Sequence, residues 1–227
     1  GQSFFIEDSG TKILFDTGYS DLFLRNAETL GLHPADANFI VFSHGHDDHT
    51  CGLPYLLPHL QQTARIVTHP DTFAEKIENS RSVGSPVREE ELRERCTLQL
   101  SRSQVRISKN IQYLGEIPQT TSFETRTATA FLRLANGILV PDYVCEDSSL
   151  VYTTDAGICI ITGCSHSGIC NMIEYAREIT GESRVLGIIG GFHLRQLTPA
   201  AKNTITYLRD LHPAELYPCH CVSFPVR

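Results

Sequence analysis

The sequence predicts a mixed α/β layered fold, and three observations support this. Its 227 residues are the size of one large domain, with 41% hydrophobic and 20% charged residues, an ordinary globular composition. A β-hairpin pattern is followed by alternating strand and helix patterns, and the same order then recurs. Polar clusters stand where the predicted strands end. We therefore expect one domain over residues 1–227, with functional side chains at strand ends.

The first part of the chain predicts a hairpin, a helix and two strands. Two apolar runs flank Asp8-Ser9-Gly10, which is the pattern of a β-hairpin. Ser20 can begin a helix and Gly31 can end it, with apolar residues on one face between them. The remaining predicted elements are a strand at 39–42, a short helix at 52–60 and a strand at 64–68.

The middle of the chain has a different pattern. Charge is dense and apolar periodicity is weak between residues 70 and 117, so we predict a surface insert near 70–117. The regular pattern then returns. The later predicted elements are strands at 149–153 and 157–162, a helix capped by Ser167, a strand at 185–189, a helix opened by Thr198-Pro199, and a strand starting at Glu215.

Composition and charge exclude several classes of protein. A chain of this size can bury roughly 70% of its unfolded surface and needs no disulfide framework. Its longest apolar runs are about five residues, far below the ~20 that span a bilayer, so we expect no membrane partner. The net charge of −7 disfavours a nucleic-acid surface built on positive charge. The sequence carries no signal for the oligomeric state.

The cysteines and the start of the sequence predict a location. No signal-peptide pattern of basic, apolar and small-residue zones opens the chain. Among the eight cysteines only Cys219 and Cys221 stand close together, and several others lie within apolar runs. Buried thiols in a reducing compartment are the expected interpretation, so we predict a cytoplasmic protein.

The strongest chemical signal is the run His44-Gly45-His46-Asp47-Asp48-His49. Three imidazoles and a carboxylate so close to the end of a buried strand are hard to explain by packing. On such a turn, residues two apart can chelate one metal, and the following side chains can reach a second ion about 3.5–4 Å away. These donors suit Zn²⁺, Mn²⁺ or Fe rather than Ca²⁺. Asp47 is either a partner of a ligating histidine or solvated.

Three later histidines also stand at predicted strand ends. His166 lies in a Ser/Gly loop before a helix, and we infer that it supplies an imidazole. His193 follows two glycines that permit close backbone approach, and His220 lies between Cys219 and Cys221. Either of these two histidines could ligate while the other contacts substrate. A separate structural zinc at Cys219 and Cys221 would need a second cysteine pair, which the sequence lacks. The histidines interpreted as structural are His33, His59, His69 and His212.

The run from His44 to His49 resembles the metal motif of the metallo-β-lactamase superfamily, and Phe15-Asp16-Thr17-Gly18 matches that family's first motif. The resemblance covers most of the chain and implies an αββα sandwich with a surface insert. It also implies that Asp16 supports the metal-binding loop rather than ligating. The family's third histidine is absent from Asp142–Ser148, and Cys164 stands where the family has a bridging Asp. Cys164 is therefore either a ligand or a buried thiol.

A combination of motifs looks like the subgroup related to archaeal dihydropterin–ribofuranosylaminobenzene phosphate synthase. The motifs are His-Gly-His-Asp-Asp-His, Gly-Cys-Ser-His-Ser-Gly, Gly-Gly-Phe-His and Cys-His-Cys, together with Leu114–Pro118 and Phe123-Glu124. This resemblance implies a dinuclear site and a phosphate-containing small-molecule substrate. Arg126 and Arg133 could bind its phosphate, although exposed arginines on strands explain them equally well.

The expected function is that of a dinuclear metal-dependent hydrolase or transferase. Two divalent ions are expected, zinc first with Mn or Fe as alternatives, and Asp48 is also the predicted catalytic residue. The predicted metal ligands are His44, His46, Asp48, His49, His166 and His193. One alternative is a phosphodiesterase or nuclease on the same fold. The other is a non-hydrolytic metal-binding redox or sensor protein.

Overall fold

The structure is a computed structural model that describes residues 1–61, 63–134 and 136–226. The chain forms two compact units, one made of Gly1–Arg102 with Ala128–Glu146 and the other of Ser103–Thr127 with Asp147–Arg227. Both units combine helices and sheets, which confirms the mixed α/β class. In the part of the chain described, we find no helix with the length and apolar character needed to cross a membrane.

The described residues of the first unit form nine strands. These are β1 (Phe4–Asp8), β2 (Thr11–Phe15), β3 (Phe39–Val41), β4 (Arg65–Thr68), β5 (Lys76–Glu78), β6 (Arg81–Ser82), β7 (Thr97–Leu100), β10 (Ala130–Arg133) and β11 (Leu139–Asp142). One sheet has the order β1-β2-β3-β4-β7, with β1 and β2 as an antiparallel hairpin and the other neighbours parallel. The second sheet, β11-β10-β5-β6, is antiparallel throughout.

Short helices surround these sheets. They are α1 (Leu22–Thr29), α2 (Asp47–Thr50), α3 (Leu53–Leu56) and α4 (Glu89–Arg93), with 3₁₀ turns at Pro34–Asp36, Leu57–His59 and Pro70–Phe73. Ile40 and Val41 of β3 are fully buried, as an apolar run in a parallel strand predicts. Because parallel β2 and β3 end at the same edge, the segments that follow them are neighbours. Those segments carry Asp16 and the histidine run.

The part of the second unit that the structure describes forms one six-stranded sheet and two longer helices. Its elements are β8 (Val105–Arg106), β9 (Ile111–Tyr113), β12 (Ser149–Thr154), β13 (Gly157–Thr162), β14 (Val185–Gly191), β15 (Glu215–His220), α5 (Ile169–Thr180) and α6 (Pro199–Leu211). The order is β15-β14-β13-β12-β9-β8, and β13, β14 and β15 run parallel. The apolar face of α5 packs with these strands in the core. The carboxyl ends of the three parallel strands therefore share one edge.

Both predicted hairpins and the order of strands and helices in the regular parts are confirmed. The N-cap of α5 is Gly168 rather than Ser167, whose hydroxyl accepts a hydrogen bond from Arg126 Nη2 and donates one to Asp147 O instead. The segment 70–117, predicted as a surface insert, contributes strands to all three sheets. Its strands are only two to four residues long, which is too short to produce a clear apolar periodicity.

Candidate metal centre

Asp16 organises the histidine run of the first unit. It is fully buried after β2 and has a positive φ of 59°, which aims its side chain at the segment after β3. Its Oδ1 accepts a hydrogen bond from the backbone N–H of Ser43 at 2.8 Å. Its Oδ2 lies 2.8 Å from Ser43 Oγ and 2.7 Å from His49 Nδ1. Asp16 therefore supports the loop, the role that the family resemblance implied.

These contacts set the tautomers of two histidines. An ionised carboxylate only accepts hydrogen bonds, so Ser43 Oγ–H and His49 Nδ1–H both donate to Asp16. The Ser43 hydroxyl then has no proton left, and it accepts from His44 Nδ1–H at 2.9 Å. Both rings consequently carry their lone pair on Nε2. A histidine that donates one ring N–H to a carboxylate or hydroxyl and presents the other nitrogen is the usual form of a metal ligand.

His46 and Asp48 complete the cluster of the first unit. His46 Nδ1 lies 3.1 Å from His44 Nε2, and Asp48 Oδ2 lies 3.5 Å from His49 Nε2. Burial, aided by the positive charge of Lys76, lowers the pKa of His46 to about 4. His46 is therefore neutral at pH 7, as metal binding requires. The structure thus brings together four predicted ligands: His44, His46, Asp48 and His49.

The histidine run also contacts residues in and next to β5 and β6 that the sequence analysis did not identify. The backbone N–H of Asp47 donates to Val83 O at 2.9 Å, next to β6. Burial and the neighbouring Asp48 raise the pKa of Asp47, whose side chain faces Tyr19.

A buried lysine, Lys76, lies beneath Gly45 with the carboxylates of Asp142 and Glu146. No sequence signal marks these three residues, because the pairing of Lys76 with Asp142 spans 66 positions.

The second unit has its own histidine cluster, at the shared edge of β13, β14 and β15. The rings of His166 and His193 have centroids 4.3 Å apart, so the structure brings these two predicted ligands together within this unit. His220 ends β15 and is the register partner of Gly191. Cys164 is buried, and Cys219 is exposed.

A cysteine supports His193. The backbone N–H of His193 donates to Cys221 Sγ at 3.2 Å, and the thiol of Cys221 donates to Cys164 O at 3.6 Å. Ser165, His193 and Cys221 have φ values of 60°, 49° and 44°. Such strained backbone costs on the order of 1–3 kcal/mol per residue and is concentrated at functional sites. Cys221 therefore acts here as a loop support, a role that the Cys-His-Cys pattern did not distinguish from ligation.

Gly191 is required for this arrangement. A Cβ at position 191 would lie 2.4 Å from Gly163 O and 2.7 Å from Cys221 Sγ, whereas one at Gly187 of the same strand would meet nothing closer than 3.5 Å. We expect Gly191→Ala to lower the free energy of unfolding by about 1–3 kcal/mol through overpacking. Gly187→Ala is the matched control and should change it by less than about 1 kcal/mol. Urea denaturation measures both, and equal effects would contradict this explanation.

The remaining polar candidates have structural partners. Arg126 Nη2 donates to Ile117 O at 2.9 Å and to Ser167 Oγ at 2.8 Å. Arg133 pairs with Glu75 at 3.0 Å on an exposed strand. His69 is buried, and its Nδ1 accepts a hydrogen bond from the backbone N–H of Asp71. These contacts favour the structural interpretation of Arg126, Arg133 and His69.

A carboxylate-supported histidine run at strand ends of an α/β fold is the arrangement of metal-dependent enzymes of the metallo-β-lactamase class. The family model of the metallo-beta-lactamase superfamily matches residues 1–113. The chain belongs to this superfamily, and the family implies that a divalent metal binds. The chemistry of the donors fits such an ion, since His44 and His49 are held with Nε2 lone pairs.

Two proteins of Methanocaldococcus jannaschii (strain ATCC 43067 / DSM 2661 / JAL-1 / JCM 10045 / NBRC 100440) are similar to nearly the whole chain. One is 7,8-dihydropterin-6-methyl-4-(β-D-ribofuranosyl)-aminobenzene-5'-phosphate synthase, 32% identical over 99% of this chain and 81% of its own. The other is an uncharacterized protein, 32% identical over 99% of this chain and 84% of its own. The crystal structure of Tm1679, described as a metal-dependent hydrolase of the beta-lactamase superfamily, has a TM-score of 0.79 and 28% identity. The structural match covers 97% of this chain and 84% of the Tm1679 chain. The family model and the Tm1679 structure confirm the metallo-β-lactamase fold.

Proposed function

We propose that this protein is a dinuclear metal-dependent enzyme that hydrolyses or transfers a phosphate-containing small molecule. The observation that carries the proposal is the Asp16–Ser43 support, which presents Nε2 of His44 and of His49 as lone-pair donors. The proposed ligands of the two ions are His44, His46, Asp48, His49, His166 and His193. Zinc is the proposed metal, with manganese or iron as alternatives, because imidazole and carboxylate donors suit all three.

Divalent ions bound there would polarise a phosphoryl oxygen and lower the pKa of water. The chain's own residues prepare this chemistry. Asp16 and Ser43 fix the ring orientations of His44 and His49. Asp48 has 30% of its side chain exposed, and we assign it the catalytic proton transfer.

The proposed substrate class rests on the named relatives of this chain and on the charge of the proposed metal ions. A relative named as a synthase of an aminobenzene 5'-phosphate compound supports a phosphate-bearing substrate, and Tm1679 supports hydrolysis. Two divalent ions would add a charge of +4 at their ligands, so an anionic small molecule is compatible with a chain whose net charge is −7. We propose a small molecule rather than nucleic acid as partner, and a cytoplasmic location on the cysteine usage.

Metal content is the first test. Protein purified without added metal should contain two divalent ions per chain by elemental analysis, mainly zinc. Removal with a chelator should abolish turnover, and re-addition should restore it. A preparation that binds no divalent ion would contradict the proposal, and one ion per chain would reduce the ligand set to part of that proposed.

A substrate panel then separates the candidate activities. Release of phosphate or diphosphate from a pterin diphosphate would support the proposed class and distinguish hydrolysis from transfer by the product formed. Cleavage of bis-nitrophenyl phosphate with no action on the pterin compound would favour a phosphodiesterase. An iron-coloured protein inactive on both substrates would favour the redox or sensor alternative.

A further inference from the structure

Three charged side chains of the first unit are buried close to the histidine run and have no part in the proposed chemistry. Lys76 is fully buried in β5, and Asp142 and Glu146 are at most 1% exposed. Lys76 Nζ lies 2.6 Å from Asp142 Oδ2 and 2.7 Å from Glu146 Oε1. We call these residues the lysine triad. Buried charges are expensive unless they are paired, so a triad kept in this position suggests a function.

The chain bends sharply to assemble the triad. Asp142 Oδ1 accepts a hydrogen bond from the backbone N–H of Val144 at 2.8 Å, and Val144 has a φ of 50°. A β-branched residue with positive φ is a genuine outlier that persists only where its surroundings impose it. The bend returns Glu146 to Lys76, whose ammonium group then bridges the two carboxylates.

The lysine triad contacts the metal-binding loop at Gly45, between His44 and His46. Glu146 Oε1 accepts a long hydrogen bond of 3.4 Å from the backbone N–H of Gly45. A Cβ at position 45 would lie 2.9 Å from Lys76 Cε and 2.2 Å from Thr72 O. The peptide that joins the two histidines therefore rests on the stem of Lys76, and only glycine fits there.

The two carboxylates of the triad hold Lys76 in its charged form. Burial opposes the ammonium form of Lys76, but the carboxylates of Glu146 and Asp142 outweigh it and raise the pKa of this lysine. Lys76 is therefore charged at neutral pH.

We propose that Lys76, Asp142 and Glu146 are positioning residues that hold the His44–His46 segment in its ligand geometry and so set the affinity of this cluster for a divalent ion. The inference rests on the proposed function, because it assumes that the cluster binds metal. The lysine triad acts through Gly45 and touches neither substrate nor metal.

Zinc affinity, measured by competition with a chromophoric chelator, tests this directly. Glu146→Leu removes the acceptor of the Gly45 N–H, and Lys76→Met removes the ammonium group but keeps the stem length. Each should weaken zinc binding about tenfold or more, as loss of a supporting contact does at other metal sites. Glu146→Gln should remain within about threefold of the wild type, because its carbonyl can take the place of Oε1 and accept from both Gly45 and Lys76.

Lys12→Met is the matched control. Lys12 pairs with Asp36 at 3.5 Å on the surface of the same unit, with 36% of its side chain exposed. This variant should bind zinc like the wild type. Circular dichroism of the metal-free proteins selects the variants that are folded, and Glu146→Leu and Lys76→Met test the inference independently of each other.

The outcomes distinguish the proposed metal-dependent function from the positioning role of the lysine triad. Wild-type zinc affinity in a folded Glu146→Leu or Lys76→Met variant would overturn the positioning role alone, even if the variant unfolds at lower denaturant concentration. Equal weakening in Glu146→Gln and Glu146→Leu would overturn the assigned acceptor. A wild-type chain that binds no divalent ion would overturn the proposed function and this inference with it.

Discussion

Replacing His46 with Ala is expected to remove one of the two proposed divalent ions and to lower turnover about a thousandfold or more. Nδ1 of His46 lies 3.1 Å from Nε2 of His44, and a pKa of about 4 makes His46 a neutral metal ligand at pH 7. Loss of an ion would forfeit roughly 4 kcal/mol of charge stabilisation in the transition state, which corresponds to about a thousandfold in rate. Elemental analysis and steady-state kinetics on the substrate found in the panel measure the two effects.

His59→Ala is the control for this variant. His59 belongs to the same unit, lies in an exposed 3₁₀ turn, and is predicted to be structural. It should keep its full metal content and its turnover. The assignment of His46 as a ligand fails if His46→Ala retains two ions per chain and full activity.

The sequence predicted the strands of the regular segments and the histidine run well, because each depends on local pattern. Ile40 and Val41 belong to an apolar run in a parallel strand, so burial on both faces marks that strand. The histidines follow it directly, so their position at a strand end could be read without tertiary information. Asp16 was recognised for a second reason, namely the family motif around it.

The residues that support the two histidine clusters could not be predicted from the sequence, because each acts through a contact with a residue far away along the chain. Lys76 meets Asp142 across 66 positions, and neither residue lies in a patterned segment. The role of Cys221 depends on its thiol facing the backbone N–H of His193, 28 positions away. The charged segment 70–117 was interpreted as an insert, since its strands of two to four residues are too short to produce a clear apolar period.

The second large effect is expected for Asp16→Asn, which should weaken zinc binding 10- to 100-fold without removing any ligand. Three donors face the Asp16 carboxylate: the N–H and hydroxyl of Ser43 and the Nδ1–H of His49. An asparagine has the same shape but presents an NH₂ group on one side. In either orientation of the amide, that NH₂ opposes a donor. His49 can relieve the conflict by moving its proton to Nε2, which removes the lone pair needed by a metal.

The experiment compares Asp16→Asn with Asp36→Asn, whose carboxylate forms a surface pair with Lys12 and has 44% of its side chain exposed. Chelator competition should show weakened zinc binding for Asp16→Asn only. Urea unfolding of the metal-free protein should also show a loss of about 1–3 kcal/mol, because a buried donor remains unsatisfied. Unchanged zinc affinity together with reduced stability would mean that Asp16 holds the loop together without controlling the tautomer of His49. Unchanged values in both measurements would refute the hydrogen-bond assignment itself, since a buried group that faces three donors cannot become an amide without consequence.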